Sequence, residues 1–124
     1  MKNNPEDVLK SIPDFEELTK LSAEISALLY KKLVLDTEIK EWESLVFKRA
    51  TTEEQFFQGG KPPSSTYIDN TYKFPGLAGE ILPLRKELAA AISDLEGKRL
   101  QMDVYKNMIE IWRTLSSNQR STSL

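Results

Sequence analysis

Two long segments of the chain carry the apolar spacing of a coiled coil. In each segment the apolar side chains recur at alternating intervals of three and four residues, which places them on one face of an α-helix. The first seam consists of Leu18, Leu21, Ile25, Leu28, Lys32, Leu35, Ile39, Trp42, Val46 and Arg49. The second seam consists of Ile81, Leu84, Leu88, Ala91, Leu95, Lys98, Met102, Tyr105, Ile109 and Trp112. The spacing therefore predicts two long amphipathic helices.

Capping and helix-breaking residues set the bounds of these predicted elements. Asp14 and Glu17 have the spacing of a capping box, and Gly59 and Gly60 stop the first helix. Pro83 has no N–H group and fits only the first turn of the second helix. We predict one domain, 1–124, that contains helix 1 at 14–56, an aromatic connector at 57–79, helix 2 at 80–116 and a flexible tail at 117–124.

A connector between two helices allows them to fold back on each other. A turn centred near residues 66 and 67 places the large Trp42 opposite the small Ala91, as close packing requires. It also brings Lys32 and Lys98, the polar breaks in the seams, to about the same level. Lysines at such positions either fix the alignment of the helices or form a polar layer that binds an anion. Because two helices bury little surface, we predict an all-α fold: a long antiparallel helical hairpin, coiled-coil-like, that completes a four-helix bundle by association.

The second helix carries another apolar row outside its seam, and the predicted register sets this row beside the first helix. An exposed row of this length marks an interface. The predicted partner interface consists of Leu29, Leu33, Val104, Met108, Ile111 and Leu115. The alternative is that the N-terminal segment folds back over the row with its own apolar side chains, which are Val8, Leu9, Ile12 and Phe15.

The connector is rich in aromatic side chains, unlike a flexible linker. In one interpretation it is a cap over the ends of the two helices, and "YIDNTY" forms a turn or a small hairpin. The cap would bury Tyr67, Ile68, Tyr72 and Phe74. In the other interpretation it is a recognition loop on a rigid scaffold, where Tyr67, Tyr72 and Lys73 contact a partner.

Composition narrows the function classes. The chain has no Cys and no His, which removes the usual zinc, thiol and histidine-based catalytic sites. A net charge of −2 argues against nucleic-acid binding. No apolar stretch reaches the length of a signal peptide core or a membrane span. We therefore expect no enzymatic activity, no cofactor or metal, no nucleic-acid or membrane partner, and a soluble intracellular protein of the cytoplasm or nucleus.

These inferences favour a non-enzymatic protein–protein interaction module, a small helical adaptor or a subunit of a larger complex. Its partner would be a second copy of the chain or another helical subunit, so we expect a homo-oligomer or a complex subunit. The alternative is a helical bundle that binds a small apolar ligand or lipid in a cavity lined by Leu28, Met102, Tyr105 and Trp112. The C-terminal "STSL" has the form of a peptide that adds a strand to a PDZ domain, and the sequence leaves open whether it acts as a ligand motif.

Overall fold

The computed structural model describes residues 14–122, with side chains to Gln119, together with Glu6, Lys10 and Ile12. Its elements are helix α1 (Phe15–Thr52), a 3-10 turn (Glu54–Phe56), helix α2 (Ser65–Thr71) and helix α3 (Leu82–Thr122). The structure is 81% helical, and no strand occurs in the part of the chain that it describes. The predicted all-α class is confirmed. The long helices α1 and α3 contact each other, consistent with a hairpin.

The chain divides into two compact units. Unit 2 is continuous in sequence and spans Leu29–Ser93, so that it contains the connector and the adjoining ends of α1 and α3. Unit 1 combines the remaining part of α1, up to Leu28, with the part of α3 that follows Asp94. We describe each unit by itself.

The ends of α1 follow from side-chain hydrogen bonds. Asp14 caps the first turn, since its Oδ1 accepts a hydrogen bond of 2.8 Å from the Glu17 N–H. The helix ends at Thr52, four residues before the predicted end at 56. Glu53 adopts an extended conformation and forms an ion pair of 2.6 Å with Arg49, one turn back. This pair and the following 3-10 turn replace the last predicted turn of α-helix.

The two ends of α3 differ from the prediction in opposite directions. The helix begins at Leu82 instead of residue 80, with Pro83 in the first turn as predicted. It continues to Thr122, so the predicted flexible tail at 117–124 is wrong for residues 117–122. No Gly or Pro follows Gly97, and therefore nothing in the sequence breaks the helix there. Ser123 and Leu124 of the "STSL" motif lie outside the described residues.

The stretch "YIDNTY" belongs mostly to helix α2. The predicted turn or small hairpin is therefore wrong. Ser64 initiates the helix because its hydroxyl accepts a hydrogen bond of 3.2 Å from the Tyr67 N–H. The helix ends at Thr71, and the N–H of the C-cap residue Tyr72 donates a hydrogen bond to the Ile68 carbonyl. A local side-chain cap of this kind decides between a helix and a turn in a segment of only seven residues.

The core of unit 2 is a cluster of Ile39, Val46 and Ile81. Half-buried side chains pack against it from α1, from α3 and from the connector: Trp42, Tyr72, Leu77, Leu84 and Leu88. Along both long helices, every one of the predicted seam positions is buried or half-buried. The coiled-coil spacing therefore identified the contact faces of α1 and α3 correctly.

The predicted register between the helices is wrong. It set Glu43 opposite Ala90, whereas Glu43 forms an ion pair of 3.1 Å with Arg85 in unit 2. Trp42 packs on the core cluster at the start of α3, and the prediction that it faces Ala91 is not supported by this alignment. The cause lies at the end of α1. Because Val46 lies in one cluster with Ile81, α1 runs past the first turn of α3 before it ends.

Candidate protein-interaction surfaces

Helix α3 carries an apolar row outside its seam in unit 1, which we call the outer stripe. It contains the four predicted residues of α3 and one that the sequence analysis missed: Leu100, Val104, Met108, Ile111 and Leu115. Leu100 is 66% exposed, and Val104 and Ile111 are each 49% exposed. Met108 and Leu115 are half-buried. Leu100 precedes Val104 by four residues, so the helical spacing that found the other four residues also predicts it.

Six charged side chains of α3 lie in two rows with the heptad period. The acidic row consists of Glu96, Asp103 and Glu110, and the basic row consists of Arg99, Lys106 and Arg113. All six side chains are exposed. Seven residues make nearly two turns of an α-helix, so each row runs along one side of α3. Around the helix the order is seam, outer stripe, acidic row and basic row.

The seam edge of the outer stripe borders a polar groove in unit 1. The groove is lined by Glu17, Lys20, Leu21, Glu24, Lys98, Gln101 and Tyr105. Gln101 lies one heptad before Met108 and two before Leu115, which places the groove directly beside the stripe. The Gln101 amide donates a hydrogen bond of 2.8 Å to the Tyr105 hydroxyl.

Lys98, one of the two polar breaks in the seams, forms an ion pair of 2.7 Å with Glu24 on α1. The hydrogen bond from Lys98 holds the pKa of Glu24 below its ordinary value and raises the pKa of Lys98. The pair links α1 to α3 within unit 1, which supports the interpretation of Lys98 as a residue that fixes alignment. Lys32 is half-buried and belongs to unit 2.

The two predicted interface residues of α1, Leu29 and Leu33, are exposed and belong to unit 2. Tyr30 and Val34 lie next to them and are also exposed, by 71% and 43%. These four residues form an apolar patch on α1. The sequence analysis missed Tyr30 and Val34 because it followed only the residues that the predicted register set beside α3. Since that register is wrong, the α1 patch and the outer stripe are described as separate surfaces.

The three residues of the predicted recognition loop lie in different environments. Tyr72 is half-buried and contacts the rings of Phe56 and Tyr67 edge-on, with centroid distances of 5.8 Å and 6.0 Å. Tyr67 is 37% exposed, and Lys73 is also exposed. Lys73 lines an open groove between α1 and α2, together with Lys40, Glu43, Ser44, Phe47, Ile68 and Asp69.

The cap interpretation of the connector is confirmed for part of its residues. Ile68 is fully buried and Tyr72 packs on the core cluster, as predicted. Phe74, by contrast, is 62% exposed. Its ring lies under the Arg85 guanidinium, 4.4 Å from the ring centroid, and its carbonyl accepts a hydrogen bond of 2.7 Å from Arg85 Nε. A cation–π contact with the half-buried Arg85 keeps this ring in place without burying it.

The loop between α2 and α3 is held by Glu80. Its carboxylate accepts hydrogen bonds from the N–H groups of Leu77 and Ala78, at 2.9 Å and 2.6 Å. Burial acts to raise the pKa of Glu80, but hydrogen bonds from the backbone N–H groups of Glu80 itself, Ala78 and Leu77 outweigh it, and the pKa lies below its ordinary value. Gly76 makes room for this carboxylate, since a Cβ at that position would lie 2.5 Å from Glu80 Cδ.

The four residues predicted to line one apolar ligand cavity do not line a common groove. Tyr105 lines the polar groove with charged residues. Leu28 lines a different one, with Glu24, Ala27, Asp94 and Lys98. Met102 and Trp112 are half-buried seam residues of α3. In residues 14–122, no group of three Asp and Glu side chains is placed to hold a metal ion, and no helix has an apolar stretch of the length needed to span a bilayer.

In comparisons with known proteins, no protein-family model, no curated protein and no solved structure matches this chain. The candidate surfaces therefore rest on the structure and the sequence alone.

Proposed function

We propose that the chain is a non-enzymatic protein–protein interaction module, a small helical adaptor or a complex subunit, whose main contact surface is the outer stripe of α3. The proposal includes the soluble, intracellular location expected from the sequence. The partner is a helical protein, either a second copy of the chain or another subunit, that completes a helical bundle with α1 and α3.

The observation that carries this proposal is the exposure of the stripe. Val104 and Ile111 each leave about half of their surface in water on a helix whose seam face is already occupied by α1. A solvent-facing helix side is ordinarily polar or charged. Water is a costly environment for a continuous apolar row, and a helix packed along it would remove that cost. The alternative, a bundle that holds an apolar ligand, has no comparable observation in its favour.

The experiment compares the chain with a variant whose stripe is charged, Val104→Lys with Ile111→Lys. The matched control, Ser22→Lys with Ser26→Lys, adds the same charge at two exposed positions of α1 in the same unit. We expect the unmodified chain and the control to associate, either with themselves by light scattering or with the same proteins in affinity purification from the native cell. The stripe variant should remain folded by circular dichroism and lose that association.

Two results would count against the proposal. Equal association of all three proteins would show that the outer stripe is not the contact surface. If no protein associates until residues 1–13 are deleted, the stripe is covered by the N-terminal segment of its own chain, and the protein–protein role of this surface is wrong.

A further inference from the structure

The charges beside the outer stripe identify the kind of partner, and this inference rests on the function proposed above. We infer that the outer stripe binds a helix of a different protein, whose apolar face is bordered by Lys or Arg side chains that face the acidic row of α3.

The position of the acidic row is the first argument. A helix that packs on an apolar stripe brings its flanking side chains next to those of its partner, and opposite charges at these flanks select the partner and its orientation. Glu96, Asp103 and Glu110 follow the stripe along the edge that faces away from α1. Glu110 is already paired with Arg113 of the basic row at 3.0 Å, so Glu96 and Asp103 carry the net negative charge of the row. The basic row lies further around α3, toward the other edge of the seam. A helix on the stripe therefore meets carboxylates before it meets cations.

The polar groove on the other edge of the stripe adds no net charge. Glu24 and Lys98 neutralise each other in their ion pair of 2.7 Å. The other charged side chains that line the groove are Glu17 and Lys20, one of each sign. The charge that selects the partner therefore lies in the acidic row of α3.

A second copy of the chain fits this surface poorly. In an antiparallel dimer through the outer stripe, the acidic row of one copy would face the acidic row of the other, which is unfavourable. In a parallel dimer, the acidic row would face the groove edge, whose charges balance, so the acidic row would meet no excess of cations there. Neither arrangement brings the basic row of one copy against the acidic row of the other, because the basic row borders the seam.

The test uses two synthetic helical peptides of about 21 residues, long enough to cover the stripe, which measures roughly 23 Å from Leu100 to Leu115. Both peptides carry the same Leu and Ile seam. One has Lys at every position that flanks the seam, and the other has Glu. Binding of each labelled peptide to the full chain is measured by fluorescence anisotropy at low and at high salt.

We expect the Lys peptide to bind about tenfold more tightly than the Glu peptide at low salt, with a smaller preference at high salt. The triple variant Glu96→Gln, Asp103→Asn, Glu110→Gln should lose most of the preference. The control variant Glu16→Gln, Glu41→Gln, Glu87→Gln changes the net charge by the same amount at other exposed carboxylates and should keep it.

The contradicting outcomes separate this inference from the function on which it rests. If both peptides bind equally and Val104→Lys with Ile111→Lys abolishes both, the stripe is an interface but the charge argument is wrong. If neither peptide binds while the chain dimerises through the stripe, the occupant is a second copy and the inference is again wrong. If neither peptide binds and the chain is a monomer that the stripe variant leaves unchanged, the proposed function fails as well.

Discussion

Each of the two units contains one part of α1 and one part of α3, with the same seam spacing. The seam is nevertheless buried to a different extent in unit 2 and in unit 1. In unit 2 the buried core residues are Leu35, Ile39, Val46, Ala50, Ile68, Ile81 and Ala91. In the described part of unit 1 they are Leu21 and Leu95. The large side chains at the other seam positions of unit 1 are half-buried.

The difference comes from a third layer that only unit 2 receives from the connector. Ile68 of α2 is buried there, and Tyr72 and Leu77 pack against the core cluster of the two long helices. From residue 14 onward, the described part of unit 1 has only α1 and α3. Two helices bury one stripe each and leave the edges of the seam in contact with water. A partner helix on the outer stripe would therefore supply to unit 1 what the connector supplies to unit 2.

The largest effect is expected from removing this third layer. Replacement of Lys61–Gly76 by a Gly/Ser linker of equal length removes Ile68 and Tyr72 from the core of unit 2. Loss of one fully buried Ile costs about 2–5 kcal/mol, so we expect the unfolding free energy to fall by at least this amount. The measurement is urea unfolding followed by circular dichroism. Asn70→Ser, at an exposed side chain of the same segment, is the control and should have a small effect.

An unchanged unfolding midpoint after this replacement would show that the connector does not stabilise unit 2. The segment would then be the better candidate for a recognition loop, and the comparison between the two units would lose its physical basis.

Smaller effects on stability, opposite in sign to each other, are expected for two glycine substitutions, one in each unit. Gly76 has φ of +93°, and an added Cβ would meet the Glu80 carboxylate that accepts hydrogen bonds from the following loop. Gly76→Ala should lower stability by roughly 1–2 kcal/mol. Gly97 lies within α3 of unit 1 with no atom near the position of an added Cβ. Gly97→Ala should raise stability by about 0.5–1 kcal/mol because Ala favours the helix.

Thermal unfolding by calorimetry distinguishes the signs of these two effects. A neutral Gly76→Ala variant would mean that the loop between α2 and α3 adjusts without loss, and that the contact of Gly76 with Glu80 does not position α3. A destabilising Gly97→Ala variant would mean that another surface packs closely on α3 at this position.

The seam positions were predictable because they depend on a local rule. A spacing of three and four residues decides which side of a helix is apolar, and burial follows it at Leu21 as at Val46. The register was not predictable from this spacing, because sliding α3 by a full turn keeps the same face toward α1. It depends on where α1 ends relative to α3, and the pair Glu43–Arg85 shows that alignment only in the folded chain.

The candidate surfaces were predictable to a similar degree. The row from Val104 to Leu115 follows from helical spacing, and the structure leaves it at the surface or half-buried. Its pairing with Leu29 and Leu33 depended on the predicted register and stays a prediction. The helical state of the connector was missed because the Ser64 cap competes with a turn signal in "DNT", and the outcome depends on Ile68 finding a buried site.

Amide hydrogen exchange of the full chain tests the central claim most directly, since it reports local opening in each unit separately. At a concentration where light scattering shows a monomer, the amides of residues 98–115 should exchange at least about tenfold faster than those of residues 39–50, because only α1 and α3 form the seam in the described part of unit 1. Binding of the Lys peptide should then slow exchange at 98–115 and leave 39–50 unchanged. Equal protection of both segments in the free monomer would contradict the account, because unit 1 would already be complete without a partner.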